Sequence, residues 1–155
     1  MKPLAILAAL GLVLAAAPVL GQMPGADPQA LWTYFTQQSP YQKWGQWPDF
    51  AGRQPGKSPH GDFVAVYVNP IALEAKGVPL PAGSLIVKDG FNAAGQLTSI
   101  TVMYKVPGYN PAGGDWFWAR YSPQGQAGPF GQPRGCVGCH GAGAANDHVL
   151  AHRYR

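Results

Sequence analysis

The sequence predicts an α+β fold with an antiparallel sheet of about four to five strands and flanking helices. Segments rich in β-branched and aromatic residues follow one another between residues 62 and 122. Helix-start signals lie before, between and after these segments. The 155-residue chain also contains 21 glycines and 16 prolines but only 12% charged residues, which is typical of a compact, turn-rich domain.

Four segments have the composition of β-strands, and turns or short helical stretches separate them. They comprise residues 62–69, 83–91, 97–106 and 115–122. In the segment 97–106 apolar residues alternate with polar ones, which predicts one core-facing side. In the segment 115–122 bulky aromatic residues occupy both sides, so we expect both faces of the sheet to be covered.

Helix signals flank the strands. The pair Asp27-Pro28 is typical of a capped helix start, and Ser39-Pro40 ends that helix. A second pair, Asn69-Pro70, begins a helix of about two turns that ends at Gly77. Asp147 is predicted to cap a short final helix. The stretches 40–60 and 123–135 are predicted to be irregular.

Residues 1–21 have the pattern of a secretory signal peptide, with Lys2, an apolar run over residues 4–17 and a cleavage position after Gly21. Residues 22–155 are then one mature domain. Nothing in that domain has the length and hydropathy of a membrane span. We therefore expect a periplasmic or otherwise exported protein.

The charged residues form no run or block, although 11 basic residues outnumber 7 acidic ones. A nucleic-acid-binding domain would concentrate its lysines and arginines on one patch or stripe. The sequence therefore predicts no nucleic-acid partner.

The two cysteines of the chain lie in one motif, CVGCH, formed by Cys136, Cys139 and His140. In a c-type haem site two thiols bond the haem vinyl groups, and the histidine beside the second thiol ligates iron. A thioredoxin-like redox pair is a weaker interpretation, because it belongs near a βαβ unit and needs no histidine. A zinc site is the other alternative, with His148 and His152 as further ligands.

Four stretches of the chain resemble the cytochrome P-460 family, whose fold also includes cytochrome c-prime-beta. They read SPHGDFVAVYVN, PAGSLIVKDGF, LTSITVMYKVPGYNPAGGDWFWARYSPQG and RGCVGCHGAGAANDHVLAHR. The resemblance runs from about Trp32 to Arg153, nearly the whole mature chain. It implies a bent antiparallel sheet with helices at its edges and a C-terminal haem-attachment segment, often in a homodimer.

The resemblance also implies a site. One covalent haem c would be held through Cys136 and Cys139, with His140 on iron and the opposite side open or holding water. Family members that oxidise hydroxylamine or handle nitric oxide cross-link a lysine to the haem. Lys88, in LIVKDG, stands at the matching place and is the candidate for a catalytic and cofactor-binding role. A redox partner protein would exchange electrons with such a haem.

Three functions are open to such a haem protein, the first two suggested by the resemblance. The first is binding of nitric oxide or a related small nitrogen species, with or without redox conversion. The second is oxidation of hydroxylamine by a lysine-modified haem, so the chain is a possible oxidoreductase. The third is simple electron transfer, with a side chain such as Met103 as the sixth ligand. Hydroxylamine-oxidising relatives carry a distal arginine where this chain has Phe63 or Val64, which favours the first function.

Overall fold

The protein is described by a computed structural model over residues 23–154. Within these residues six strands form one antiparallel sheet, and their spatial order follows the chain order. The strands are β1 Arg53–Pro55, β2 Phe63–Val68, β3 Leu85–Phe91, β4 Leu97–Lys105, β5 Trp116–Tyr121 and β6 Ala127–Gly131. The predicted signal peptide lies outside the described residues, so its cleavage stays a prediction.

Helical segments lie before, within and after the sheet. The helix α1 spans Pro28–Thr33 and continues as a π-helical turn over Tyr34–Gln38. The helices α2 and α3 span Pro70–Leu73 and Arg134–His140, and short 3₁₀ turns include Gly141–Asn146. None of the helices described here is long and apolar enough to cross a membrane. The predicted α+β class is confirmed.

The four predicted strands are present as β2 to β5, and the sheet has slightly more strands than predicted. The additional strands, β1 and β6, are its two edges and fall in stretches predicted to be irregular. They contain Pro55 and Pro129, respectively. Proline has no N–H for a central ladder, so within sheets it is found mainly on edge strands. The prolines that are typical of edge strands are also typical of loops, so the amino-acid composition of these two stretches does not predict strands.

The first helix begins as predicted, because the Ala30 N–H donates to the Asp27 carboxylate at 2.7 Å. The second also begins as predicted at Asn69, but it ends at Leu73 instead of Gly77. The predicted final helix is wrong. Asp147 and His148 have φ angles of 52° and 64°. Right-handed helices need negative φ, so these residues stop the chain from continuing as a helix.

The sheet separates two layers of side chains. On one side, which we call the core face, buried residues of the strands pack together with buried residues of α1 and the segment after it. The strand residues are Leu85, Val87, Ile100, Val102, Phe117 and Tyr121, and the others are Leu31, Phe35 and Tyr41. On the other side, which we call the cavity face, cross-strand neighbours form two rows: Ile86, Met103 and Trp118 in one, and Lys88, Thr101 and Arg120 in the other. The helix α3 lies over the cavity face. The expectation that both faces are covered is confirmed.

Candidate cofactor site

The helix α3 brings the three residues of the CVGCH motif to one side of a single helical turn. Cys136 precedes Cys139 by three positions and His140 by four, and side chains at these spacings are neighbours on a helix. Cys136 is half-buried and Cys139 is exposed, and both are free thiols. Burial raises the pKa of the Cys136 thiol. The motif is therefore assembled and not closed by a disulfide.

His140 is buried, with 6% of its surface exposed. Its Nδ1 lies 2.8 Å from the backbone carbonyl oxygen of His148. A carbonyl can only accept, so Nδ1 carries the proton and donates, and Nε2 keeps its lone pair. Burial lowers the pKa of His140, which favours this neutral form. The ring of Trp118 packs edge-on at 4.7 Å between centroids and limits its rotation.

A cavity of about 320 Å³ lies between α3 and the cavity face of the sheet. Both rows of that face line it, together with the motif and two loops: Pro59, His60, Ile86, Lys88, Thr101, Val102, Met103, Trp118, Ala119, Arg120, Pro129, Pro133, Gly135, Cys136, Cys139 and His140. The volume is within the range of about 300–1,000 Å³ that is common for ligand and cofactor sites. No Asp or Glu is among these lining residues.

Lys88 is part of this cavity wall, on the same strand face as Ile86. Its side chain is half-buried, and removal from water lowers its pKa from 10.5 to about 8. The structure thus brings Lys88 to the cavity that also contains His140. A role for Lys88 in catalysis or cofactor binding stays a prediction.

His60 is a lining residue for which the sequence allows a role at or near the cofactor but favours a turn or capping role. The SPHG sequence indicates a turn at the head of a strand, yet the turn folds over β3 and β4. Gly90 permits this close approach, because a Cβ there would collide with the His60 carbonyl oxygen. The His60 ring lies 6.2 Å from the His140 ring, and its Nδ1 is 3.4 Å from the Thr101 hydroxyl. Burial, followed by the charge of Lys88, lowers the pKa of His60 to about 4.

Four aromatic residues on or beside the strands, Phe63, Phe91, Trp116 and Trp118, are also candidates for the cofactor wall by their sequence positions. Trp118 lines the cavity, as does Met103, whereas Phe63, Phe91 and Trp116 do not. The alternative zinc site is not assembled, because no group of three or more His, Cys, Asp or Glu within residues 23–154 could hold a metal ion. His152, one of its proposed ligands, instead stacks on Trp47 at 4.9 Å and contacts Asp49.

A family model described as Cytochrome P460 matches residues 39–151. The chain belongs to the cytochrome P460 family. This family consists of haem c cytochromes, so the chain is a cytochrome of the haem c type. No curated protein matches the chain. The match covers β1 to β6 and α3, the part of the cytochrome that builds the cavity.

The residues of the cavity fit a covalent haem. Two free thiols and a histidine lie on one turn of α3, and the partner of Nδ1 leaves Nε2 available to ligate iron. The wall beside them is formed largely by aliphatic, aromatic and proline side chains, which suit a flat apolar macrocycle.

Proposed function

We propose that this cytochrome is exported and carries one haem, covalently bound through Cys136 and Cys139 and ligated by His140. We further propose that it binds nitric oxide or a related small nitrogen species on the other side of the iron. The observation that supports this proposal is the state of His140. Its Nδ1 is hydrogen-bonded to the His148 carbonyl, which leaves the lone pair of Nε2 free, and His140 lines the cavity together with both thiols. When bound, haem supplies an iron atom that coordinates small ligands and changes oxidation state.

The chain contributes attachment, orientation and exclusion of water. The spacing of Cys136 and Cys139 on α3 matches attachment at two adjacent points of one macrocycle. The His148 carbonyl and the Trp118 ring fix the orientation of the His140 imidazole. Ile86 and Met103 shield the cavity from the sheet side, where both are buried.

The polar groups of the cavity favour a small ligand without a positive charge. Lys88 and Arg120 line the cavity, and no carboxylate of the described chain does so. His60 is neutral at pH 7, because its pKa is lowered to about 4, so it can accept or donate one hydrogen bond. A neutral diatomic molecule such as nitric oxide needs no counter-charge and suits this environment.

The test is a set of absorption spectra of the purified protein in the ferric, ferrous and nitric oxide-treated states, together with its intact mass. We expect the mass of one haem, a high-spin ferrous spectrum and a large spectral change with nitric oxide. The variant His140→Ala should keep the covalent haem but lose the histidine-ligated form of its ferrous spectrum, whereas the control His152→Ala should keep both. A low-spin ferrous spectrum that does not respond to nitric oxide would leave electron transfer as the function.

Oxidation of hydroxylamine is a second candidate function, and the position of Lys88 favours it. Its ammonium group has a pKa of about 8 and lies in the cavity wall, where it can contact a bound macrocycle. His60 is neutral and lines the cavity, so it can accept a hydrogen bond from a nitrogen substrate, although its low pKa makes it a weak base. A cross-link would give a red-shifted ferrous spectrum that disappears in Lys88→Ala but persists in the control Lys76→Ala. Identical spectra of the protein and Lys88→Ala would eliminate the cross-link.

Export, a redox partner protein and a homodimer complete the proposal. Export is tested by cell fractionation with and without residues 1–21. The homodimer is tested by light scattering of the haem-loaded protein. A monomeric mass in that measurement would remove the dimer from the proposal and leave the haem site unaffected.

A further inference from the structure

A buried ion pair lies behind the candidate proximal histidine. The Lys105 ammonium donates to the Asp147 carboxylate at 2.7 Å, and the side chains are only 8% and 6% exposed. The same carboxylate accepts the backbone N–H of Leu80 at 2.7 Å. The Trp116 indole N–H lies 2.9 Å from the Asp147 carbonyl oxygen and 3.2 Å from its carboxylate. Asp147 is thus held by β4, β5 and the loop before β3.

Asp147 directly precedes His148, whose backbone carbonyl contacts His140. Asp147 and His148 both have left-handed backbone conformations, which residues other than glycine adopt at a cost. Such conformations persist only where the surroundings determine them. Here the surroundings are the ion pair and the Trp116 hydrogen bonds. In this backbone conformation the His148 carbonyl oxygen lies 2.8 Å from the Nδ1 of His140.

We propose that Lys105, Asp147 and Trp116 are positioning residues for His140. They fix the His148 carbonyl, which keeps the proton on Nδ1 and sets the orientation of the imidazole. A metal-ligating histidine that donates its second N–H to a carbonyl becomes a stronger donor to the metal. The anchor therefore sets the strength of the iron–histidine bond and the reduction potential of the bound haem. This inference rests on the proposed function, because it takes His140 as the iron ligand.

Stability alone does not account for the anchor. Replacing a buried ion pair with apolar residues of similar volume is often neutral or stabilising, so such a pair is weak evidence of a stabilising role. The core face offers a comparison, because Asp89 is as buried as Asp147 and accepts from the Tyr41 hydroxyl at 2.7 Å. That pair lies on the opposite side of the sheet from α3 and has no contact with His140 or His148 among its hydrogen bonds.

The test compares the double variant Lys105→Met/Asp147→Asn with the control Tyr41→Phe in the haem-loaded protein. The double change leaves no buried charge without a partner, and asparagine accepts the left-handed conformation. Two properties are measured, the midpoint potential and the iron–histidine stretching frequency of the ferrous protein by resonance Raman spectroscopy. We expect the double variant to raise the potential and lower the frequency, because a weaker donor stabilises the ferric state less. Tyr41→Phe should change neither property, although it also removes a buried hydrogen bond.

A second variant covers the case in which the double variant does not fold. Trp116→Phe keeps an aromatic ring but removes both hydrogen bonds to Asp147. It should shift the potential and the frequency in the same directions by smaller amounts. Unchanged values in a folded variant would overturn the positioning role, as would equal shifts in Tyr41→Phe. If the unmutated protein itself has no iron–histidine band, the proposed ligation by His140 fails instead.

Discussion

The core face and the cavity face of one sheet are built for different tasks. On the core face aromatic rings contact one another directly, with Phe35 at 5.5 Å from Tyr41 and 5.7 Å from Tyr121 between centroids. On the cavity face about 320 Å³ is left between the sheet and α3. The cavity face also has a buried cluster, which includes Trp47, Val68 and Trp116, but a cavity lies beside that cluster. The comparison indicates that packing on both faces holds the fold together, and that the candidate site is formed on the cavity face alone.

Two adjacent residues of β3 illustrate this division. Lys88 points to the cavity, and the next residue, Asp89, points to the core face, where the Tyr41 hydroxyl donates to it. Removal from water lowers the pKa of Lys88 and raises that of Asp89. Because alternate residues of a strand face opposite sides, Asp89 is not placed to act as a base in the cavity.

The largest expected effect is loss of haem attachment on the cavity face without loss of the packing on the core face. The variant Cys136→Ser/Cys139→Ser removes both thiols, so we expect no covalent haem in the intact mass. The sheet should still fold, because the aromatic packing of the core face involves no residue of α3. Far-ultraviolet circular dichroism and the cooperativity of urea unfolding measure the fold. Loss of cooperative unfolding in this variant would contradict the independence of the core face.

The next largest effect is a loss of stability on truncation of a core-face residue, without a change at the cavity. Phe35 is fully buried there, so Phe35→Ala should lower the free energy of unfolding by about 3–5 kcal/mol. The absorption spectrum of the haem-loaded protein should not change, because Phe35 does not line the cavity. The matched control is Phe63→Ala, at a residue that is 37% exposed. Urea unfolding followed by tryptophan fluorescence measures both, and equal losses would contradict the assignment of Phe35 to the core.

The core face was largely predictable from the sequence, because strand alternation and helix caps are local signals. Strand alternation in the segment 115–122 predicts Trp116 and Trp118 on one side and Phe117 and Tyr121 on the other, and these pairs do belong to two different buried clusters. The edge strands were not predictable from composition, because their prolines and glycines read as loop residues. Their pairing is decided by β2 and β5, which lie elsewhere in the chain.

The cavity was predictable only in part. The CVGCH motif is local, and it indicated Cys136, Cys139 and His140 directly. The sequence allows a role for His60 near the cofactor but does not favour it, because that role depends on how the loop before β2 crosses Gly90. The final segment was predicted as a helix from Asp147, but a buried ion pair with Lys105 holds this residue in a non-helical conformation. Its partner is 42 positions away in the chain, so the sequence around Asp147 does not show it.

A smaller effect is expected from Lys88, the half-buried lysine of the cavity face. The folded-state pKa of Lys88 is about 8, below its ordinary 10.5, so folding disfavours its protonated form. This cost is fully present below pH 8. Between pH 8 and 10.5 Lys88 is deprotonated in the folded protein but still protonated in the unfolded chain, so stability rises with pH in this range. Lys88→Met should therefore stabilise the haem-free Cys136→Ser/Cys139→Ser protein at pH 7, on the order of 1–3 kcal/mol.

The gain from Lys88→Met should shrink when urea unfolding is repeated at pH 10. The control Lys76→Met replaces an exposed lysine and should change stability little at either pH. If Lys88→Met raised the free energy of unfolding by the same amount at both pH values, the methionine would act by packing and not by removal of the lysine charge.

The smallest effect tests how α1 is fixed on the core face. The Asp27 carboxylate accepts the Ala30 N–H, so Asp27→Ala should lower the free energy of unfolding by about 1 kcal/mol. The control Asp62→Ala removes the same charge from an exposed residue that caps no helix, and it should cost less. Neither change should alter the haem spectrum, because both residues lie outside the cavity lining. A spectral change in Asp27→Ala would mean that the two faces are coupled through the sheet, which the separation of their packing does not predict.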